Sequence, residues 1–231
     1  MKSLCYGRME NMGIKVFQSL GDQVFETLKE KIVNNEYKPG ELMQIDKLAS
    51  ELGVSTTPVR EALLRLESMG LVCIERNKGA VVTQVSKKLA QYTWEFRRLL
   101  EAHTSRDAAI HCSDAELEAL ESTLQTVLAH PSDFELYKKS DLAIHALLSK
   151  YTENYLIINS LNNLSINARR IRYFAEEGPF LEEVIVSVTY EHLSIIEALK
   201  NHNPDLVEQR VKIHLENAEK RTMKSPFFDN E

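Results

Sequence analysis

Residues 48–71 read LASELGVSTTPVREALLRLESMGL, and they decide the fold of the first part of the chain. The segment begins as a short helix with Ala49 and Leu52 on its inner side. Gly53 follows, the residue type that turns a chain out of a helix at positive φ. Ser55, Thr56 and Thr57 place hydroxyls at the start of a second helix, and Pro58 fits its first turn, where a missing N–H costs little. Val59, Leu63 and Leu66 recur at steps of four and three, which gives this helix one apolar stripe and leaves Thr56, Thr57 and Arg60 pointing elsewhere. A helix whose exposed N-terminal end carries hydroxyls and an arginine is how a helix-turn-helix reads a major groove. The stretch predicts DNA binding.

Working outward, a helix is expected over residues 20–35, with Val24, Leu28 and Ile32 at four-residue steps. The run Glu36-Tyr37-Lys38-Pro39-Gly40 breaks it, because the residue before proline resists the helical region and glycine follows. Asp46 is the expected N-cap of the next helix. Beyond Gly70, Leu71-Val72-Cys73-Ile74 is β-prone, Glu75-Arg76-Asn77-Lys78-Gly79 turns, and Ala80-Val81-Val82-Thr83 returns. This is a hairpin with Lys78 and Gly79 at its basic tip; it both closes a small core and offers that tip to DNA. Three helices plus a β-hairpin make a winged helix-turn-helix spanning residues 1–85.

From Ser86 the pattern is helical throughout. Breaks at Cys112-Ser113-Asp114, Ala129-His130-Pro131-Ser132, Tyr151-Thr152-Glu153-Asn154, Glu177-Gly178-Pro179 and Asn201-His202-Asn203-Pro204 leave six helices. They cover 86–111, 114–129, 133–150, 154–175, 181–201 and 204–223, with Ser113 or Asp114, Ser132 or Asp133, and Asn203 as N-caps. The short connections predict consecutive helices as antiparallel neighbours. The expected fold is mainly α: a winged helix-turn-helix, an all-α antiparallel helical bundle over 86–224, and a flexible tail over 225–231.

Composition sets the class. The 231 residues are 43% hydrophobic and 27% charged, an ordinary globular balance. No apolar run approaches the ~20 residues that span a bilayer, and MKSLCYGRMENMG lacks the apolar core and cleavage site of a secretory signal. Cys5, Cys73 and Cys112 are odd in number and scattered, which gives neither a disulfide framework nor a metal knuckle. A cytoplasmic protein is expected. The formal net charge of −6 belongs to the second part: residues 1–85 hold 11 basic and 11 acidic side chains, and residues 86–231 hold 17 and 23. Lys38, Lys47, Arg60, Arg65, Arg76 and Lys78 are the cations available for phosphate contacts, which supply salt-sensitive affinity.

The run from Tyr37-Lys38-Pro39-Gly40 through Leu48-Ala49 to Gly53-Val54-Ser55-Thr56-Thr57-Pro58-Val59-Arg60-Glu61-Ala62-Leu63 and Gly70-Leu71 resembles the signature of the GntR family of bacterial transcription regulators. The second part is similar to the all-helical ligand-binding domain of its FadR-type branch, the FCD domain. The matching residues there are Glu95-Phe96-Arg97 with Glu101, Asp141 with His145, Glu191-His192 and His214. The resemblance implies DNA contacts from Ser55, Thr56, Thr57 and Arg60 on the recognition helix and from Lys78 and Gly79 in the wing. Many members carry arginine where this chain has Thr56, so one base-reading fork is missing. Chemistry points the same way for Arg60, since arginine donates a forked pair to guanine while Ser and Thr mainly reach phosphate. An intrahelical ion pair with a neighbouring acid is the alternative for Arg60.

Asp141 and His145 lie four residues apart and project from one helix face. His192 and His214 stand eleven residues before and after Asn203, so an antiparallel hairpin about that turn brings the two imidazoles level. Together with the resemblance, three imidazoles and a carboxylate suit a divalent metal such as zinc, nickel or manganese. The plain alternative is a surface Asp–His helix pair worth only ~0.2–0.5 kcal/mol. His103, His111, His130 and His202 are assigned no ligand role. Arg97 resembles the family's inward-facing arginine, whose fork suits the carboxylate of a small organic acid; Glu101 is expected to neutralise it structurally. Arg169, Arg170 and Arg172 are read as solvated surface cations, with the alternative that one of them faces the cavity. The function expected is a homodimeric, effector-responsive regulator on a two-fold DNA operator, with no membrane partner. The rivals are a metal-dependent hydrolase fused to a DNA-binding domain, and a regulator with a purely structural metal and no effector.

Overall fold

A computed structural model of the chain describes residues 19–76, 78–175 and 182–228. The N-terminal stretch with Cys5, the turn residue Asn77, the break Glu177-Gly178-Pro179 and residues 229–231 lie outside the described residues. The described residues form two compact units, one of 19–30 with 41–82, the other of 31–40 with 83–228.

In the first unit α1 is Leu20–Val33, α2 Ile45–Leu52 and α3 Thr56–Ser68, with strands β1 Leu42–Met43, β2 Val72–Glu75 and β3 Gly79–Val82. Gly53 turns α2 into α3 at φ 65°, where a side chain would be strained. Its N–H donates to the Ser50 carbonyl and that of Val54 to Ala49, which satisfies the open end of α2. On α3, Val59, Ala62, Leu63 and Leu66 are all buried, so the apolar stripe faces the core as its spacing predicts. Asp46 is not the cap of α2: the helix starts two residues earlier than that cap implies, at Ile45, with Gln44 at the N-cap and no side-chain bond to the helix end. Asp46 instead stands in the first turn, where its charge complements the helix N-terminus.

The sheet has the order β1-β3-β2, antiparallel throughout. The hairpin is as expected, with Glu75 opposite Gly79 and Val72 opposite Val82. Strand β1 was not expected; two residues carry no readable periodicity, and Leu42 and Met43 pair with Val81 and Ala80 only because the chain returns there. This return explains Gly79. It is buried, at φ 125°, and a Cβ added there would lie 2.3 Å from the Met43 carbonyl oxygen.

The second unit contains α4 Lys87–His111, α5 Asp114–Ala129, α6 Phe134–Ser149, α7 Tyr155–Ala175, α8 Glu182–Lys200 and α9 Pro204–Met223. Side-chain caps start five of them: Ser86 for α4, Ser113 in a reciprocal capping box with Glu116 for α5, Asp133 for α6, Asn154 for α7 and Asn203 for α9. The buried face of α4 runs Ala90, Trp94, Arg97, Glu101, Ser105 and Ala108, and its small residues let α9 approach closely. Consecutive helices pair as expected for α5–α6 and α8–α9, whereas α4 is a hub that packs on α9, α6 and α7. No helix of the described residues is long and apolar enough to cross a membrane.

The end of the chain departs from the expected flexible tail. Pro226–Phe228 forms a 3-10 turn, and Phe228, 1% exposed, packs with Val85, Ala90, Ile171 and Phe174. Pro226 and the polar flanks hide an aromatic pair, Phe227-Phe228, whose burial outweighs the lack of helical period.

Candidate functional site

The first unit exposes Ser55 and Thr57 at the N-terminus of α3, with Thr56 half-buried beside them. Arg60, one turn on, is exposed, and among the described residues its guanidinium forms no ion pair, so the alternative reading of Arg60 finds no partner. Arg60 lines a groove shared with Gln44, Asp46, Glu75, Arg76 and Lys78. Lys78 is exposed in the turn and reaches Glu75 at 3.2 Å, an exposed pair weak enough to yield to a phosphate. Gly79 is not at the tip; it opens β3 and is buried, so it shapes the wing rather than presenting a group to a ligand. Arg65 and Lys47 are drawn to Asp22 and Glu51 at 2.7 and 3.8 Å, and Arg65 also stacks on Phe25.

In the second unit, α6 supplies Asp141 and His145, α8 His192 and α9 His214. One ligand nitrogen from each of the three imidazoles lies within 4.8 Å of the others. The ring centroids of His192 and His214 are 4.6 Å apart, and His145 lies 5.7 and 5.4 Å from them. Asp141 Oδ1 is 3.9 Å from Nε2 of both His145 and His192. The turn at Asn203 does what the symmetric spacing predicts.

Two acids orient the outer rings. Glu101 accepts from His145 Nδ1 at 2.6 Å, and Glu191 from His214 Nδ1 at 2.7 Å. Burial pushes the Glu101 carboxyl up, but Arg97 and His145 outweigh it and hold the group below the usual carboxylate range. Burial likewise opposes Glu191, while His214 and Arg221 bring it to about 2. Both acids are therefore ionised and only accept, which puts the ring protons on Nδ1 and leaves Nε2 of a neutral ring as the lone-pair nitrogen. His192 is 0% exposed, and neither of its ring nitrogens has a hydrogen-bond partner. Burial, reinforced by His214, holds it neutral. A buried imidazole with both nitrogens idle costs free energy unless something binds it. The donor set, three imidazoles and a carboxylate, fits a borderline divalent metal.

Arg97 lines the small cavity beside the imidazoles, with Arg172 and Arg221. It is buried, and its Nε donates to Glu101 at 2.5 Å, so the structural role expected for Glu101 is observed and Arg97 is already partnered. The cavity is about 20 Å³, room for about one water-sized sphere. Arg170 and Arg172 are not solvated cations. Arg172 forks onto Asp141, and Arg170 is buried against Thr83. Their registers against α6 and the 83–86 segment left no trace in the chain. Asn217 and Arg221, which hold Glu191, were also missed; their positions three and seven residues after His214, on one face of α9, were a usable signal.

Residues 20–82 match the bacterial regulatory proteins of the gntR family, and residues 93–217 match the FCD domain. The HTH-type transcriptional regulator LutR of Bacillus subtilis (strain 168) is 30% identical over 206 residues, covering 81% of this chain and 94% of LutR. Among solved structures, E. coli McbR/YncC superposes with a TM-score of 0.74 at 21% identity, over 87% of this chain and 95% of that one. The FCD domain of the transcriptional regulator TM0439 is known in a metal-free and a Zn²⁺-bound form. They align with TM-scores of 0.53 and 0.51 at 23% identity, over 62% and 61% of this chain and 96% of each domain. At these identities the structures speak to the fold.

Proposed function

The chain belongs to the GntR family, with an FCD domain, and is a DNA-binding transcription regulator; from that premise we propose that a metal-assisted effector site in its helical domain sets its affinity for a two-fold operator. The observation that carries the metal reading is His192, buried with two idle nitrogens between two imidazoles that acids have turned inward. His145, His192 and His214 hold the ion, and Asp141 adds a fourth donor, because a carboxylate has lone pairs beyond the two used by Arg172. Zinc, nickel and manganese all suit this set. The ion, when bound, supplies a Lewis-acidic point for an anionic ligand.

The effector proposed is a small organic acid. Arg97, Arg172 and Arg221 line the cavity, each already sharing a carboxylate, so an incoming carboxylate exchanges one acid for another rather than meeting a bare charge. A cavity of about 20 Å³ requires the helices to part for such a ligand. A ligand that binds only the parted form shifts the population, with a coupling to DNA affinity of about 1–3 kcal/mol.

On the DNA, Ser55, Thr56 and Thr57 position the helix on phosphate, Arg60 reads a base and Lys78 supports the wing. Homodimerisation is supported by α4, whose outward face carries Tyr92, Phe96, Leu99 and Ile110, all exposed by 44% or more. An apolar stripe of that length is a recurrent mark of an interface. The protein acts where the DNA is, in the cytoplasm. A hydrolase reading lacks support because the acids beside the imidazoles, Glu101, Asp141 and Glu191, are all ion-paired.

The deciding measurement is metal content after reconstitution with zinc, nickel and manganese, for wild type, His192→Ala and His214→Ala. About one ion per chain is expected in wild type and a loss in both variants. A wild type that stays metal-free sinks the reading. Mobility shifts on a symmetric operator, with and without small acids, test the rest.

A further inference from the structure

Arg170 on α7 is a charged group that the metal reading leaves unused. It is 1% exposed. Nη1 donates to the Thr83 hydroxyl at 2.8 Å and Nη2 donates to the Thr83 carbonyl, while Nε is buried with no partner. Among the described residues no acid neutralises it, and burial alone pulls its pKa down to about 10. An apolar side chain of similar length would fill this space without the penalty of a buried, uncompensated cation. Stability therefore does not account for an arginine here; its hold on Thr83 does.

Thr83 is the first residue after β3, in the short segment that ends where Ser86 caps α4. Val85 of the same segment packs against Ile171 and Phe174 of α7. Two residues beyond Arg170, Arg172 grips Asp141 with both Nη atoms. Side chains two apart on a helix diverge by about 200°, so α7 holds the imidazole site with one arginine and the segment leaving the wing with the other.

We propose that Arg170 is a positioning residue that relays the state of the Asp141–His site, through α7, to the segment 83–86 from which the wing strand departs. The proposal rests on the reading of the imidazoles as a metal centre. Asp141 must divide its oxygens between Arg172 and any cation the imidazoles hold, so the grip of Arg172 on α6 differs between the two states. A rigid helix passes that difference along its length. Arg170 delivers it to Thr83, whose hydroxyl and carbonyl both accept from its guanidinium.

Hydrogen exchange of the full chain, followed by mass spectrometry with zinc alone as the probe, tests this. In wild type, zinc is expected to slow exchange at least threefold in α6, α8 and α9 and to change it at least twofold in residues 83–90. Arg170→Met is expected to keep the slowing in the three helices, melt no lower than wild type, and lose the change in 83–90. Thr83→Val, which retains the arginine but lacks its hydroxyl acceptor, is expected to lose at least half of that change. No slowing in the helices of wild type overturns the metal centre itself. Slowing there with residues 83–90 unmoved overturns the relay alone, as does a full response of 83–90 in both variants. A variant with Arg170→Met that binds zinc tenfold more weakly, or melts well below wild type, assigns Arg170 a structural role and overturns the relay too.

Discussion

Arg172 and Asp141 form a forked pair, with Nη1 3.0 Å from one carboxylate oxygen and Nη2 2.7 Å from the other. Burial opposes an ionised Asp141, but Arg172, then His145, hold it well below the ordinary carboxylate range. The carboxylate that faces Nε2 of His145 and His192 is thus kept charged by a group that also competes for it. Arg172→Met leaves that charge buried and unpaired, at a cost of about 3 kcal/mol to the metal-free protein. Zinc should restore the lost stability and bind more tightly than in wild type. Thermal melts with and without zinc check both halves; equal zinc-induced shifts in the two proteins contradict the competition.

Arg60 and Lys78 should differ in kind. Arg60→Ala is expected to cost about 1–3 kcal/mol on the preferred operator and little on scrambled duplex. Lys78→Ala should weaken binding to both and lower the salt slope by about one. Fluorescence anisotropy over a salt series separates them. An Arg60→Ala protein with an unchanged preference for its operator removes this side chain from base reading.

Gly79→Ala places a methyl group 2.3 Å from the Met43 carbonyl oxygen at a backbone φ of 125°. Backbone strain and overpacking each cost about 1–3 kcal/mol. Loss of the β1–β3 pairing and weaker DNA binding should follow, without change in zinc affinity. A melt indistinguishable from wild type contradicts the close approach.

Phe228→Ala removes an aromatic ring that is 1% exposed. Large-to-small changes at such sites cost about 3–5 kcal/mol, and a drop in the melting temperature of the helical unit is the expected result. Calorimetry that shows no drop would return residues 225–228 to the class of loose ends.

The winged helix and the helices of the second unit were legible because their signals are local. Gly53, Pro58 and the Val59-Leu63-Leu66 stripe each fix one feature through backbone chemistry or period. The histidine cluster was legible through the equal spacing of His192 and His214 about Asn203, a relation that only two helices joined by one turn have to satisfy, taken together with the resemblance to the FCD domain. What escaped was set by packing between distant segments. Arg170 and Arg172 differ in their surroundings only because α7 meets α6 on one side and residues 83–86 on the other. Leu42 and Met43 become a strand because β3 lies beside them, and Gly79 was placed one residue too far toward the turn for the same reason.

The bracing of the imidazoles by Glu101 and Glu191, themselves anchored by Arg97 and Arg221, has a practical edge. Since arginines rather than an ion neutralise these acids, a chelated batch should keep its helicity and elution volume. Routine quality checks on purified material would then pass a preparation stripped of the proposed ion, and only an elemental assay would catch the difference.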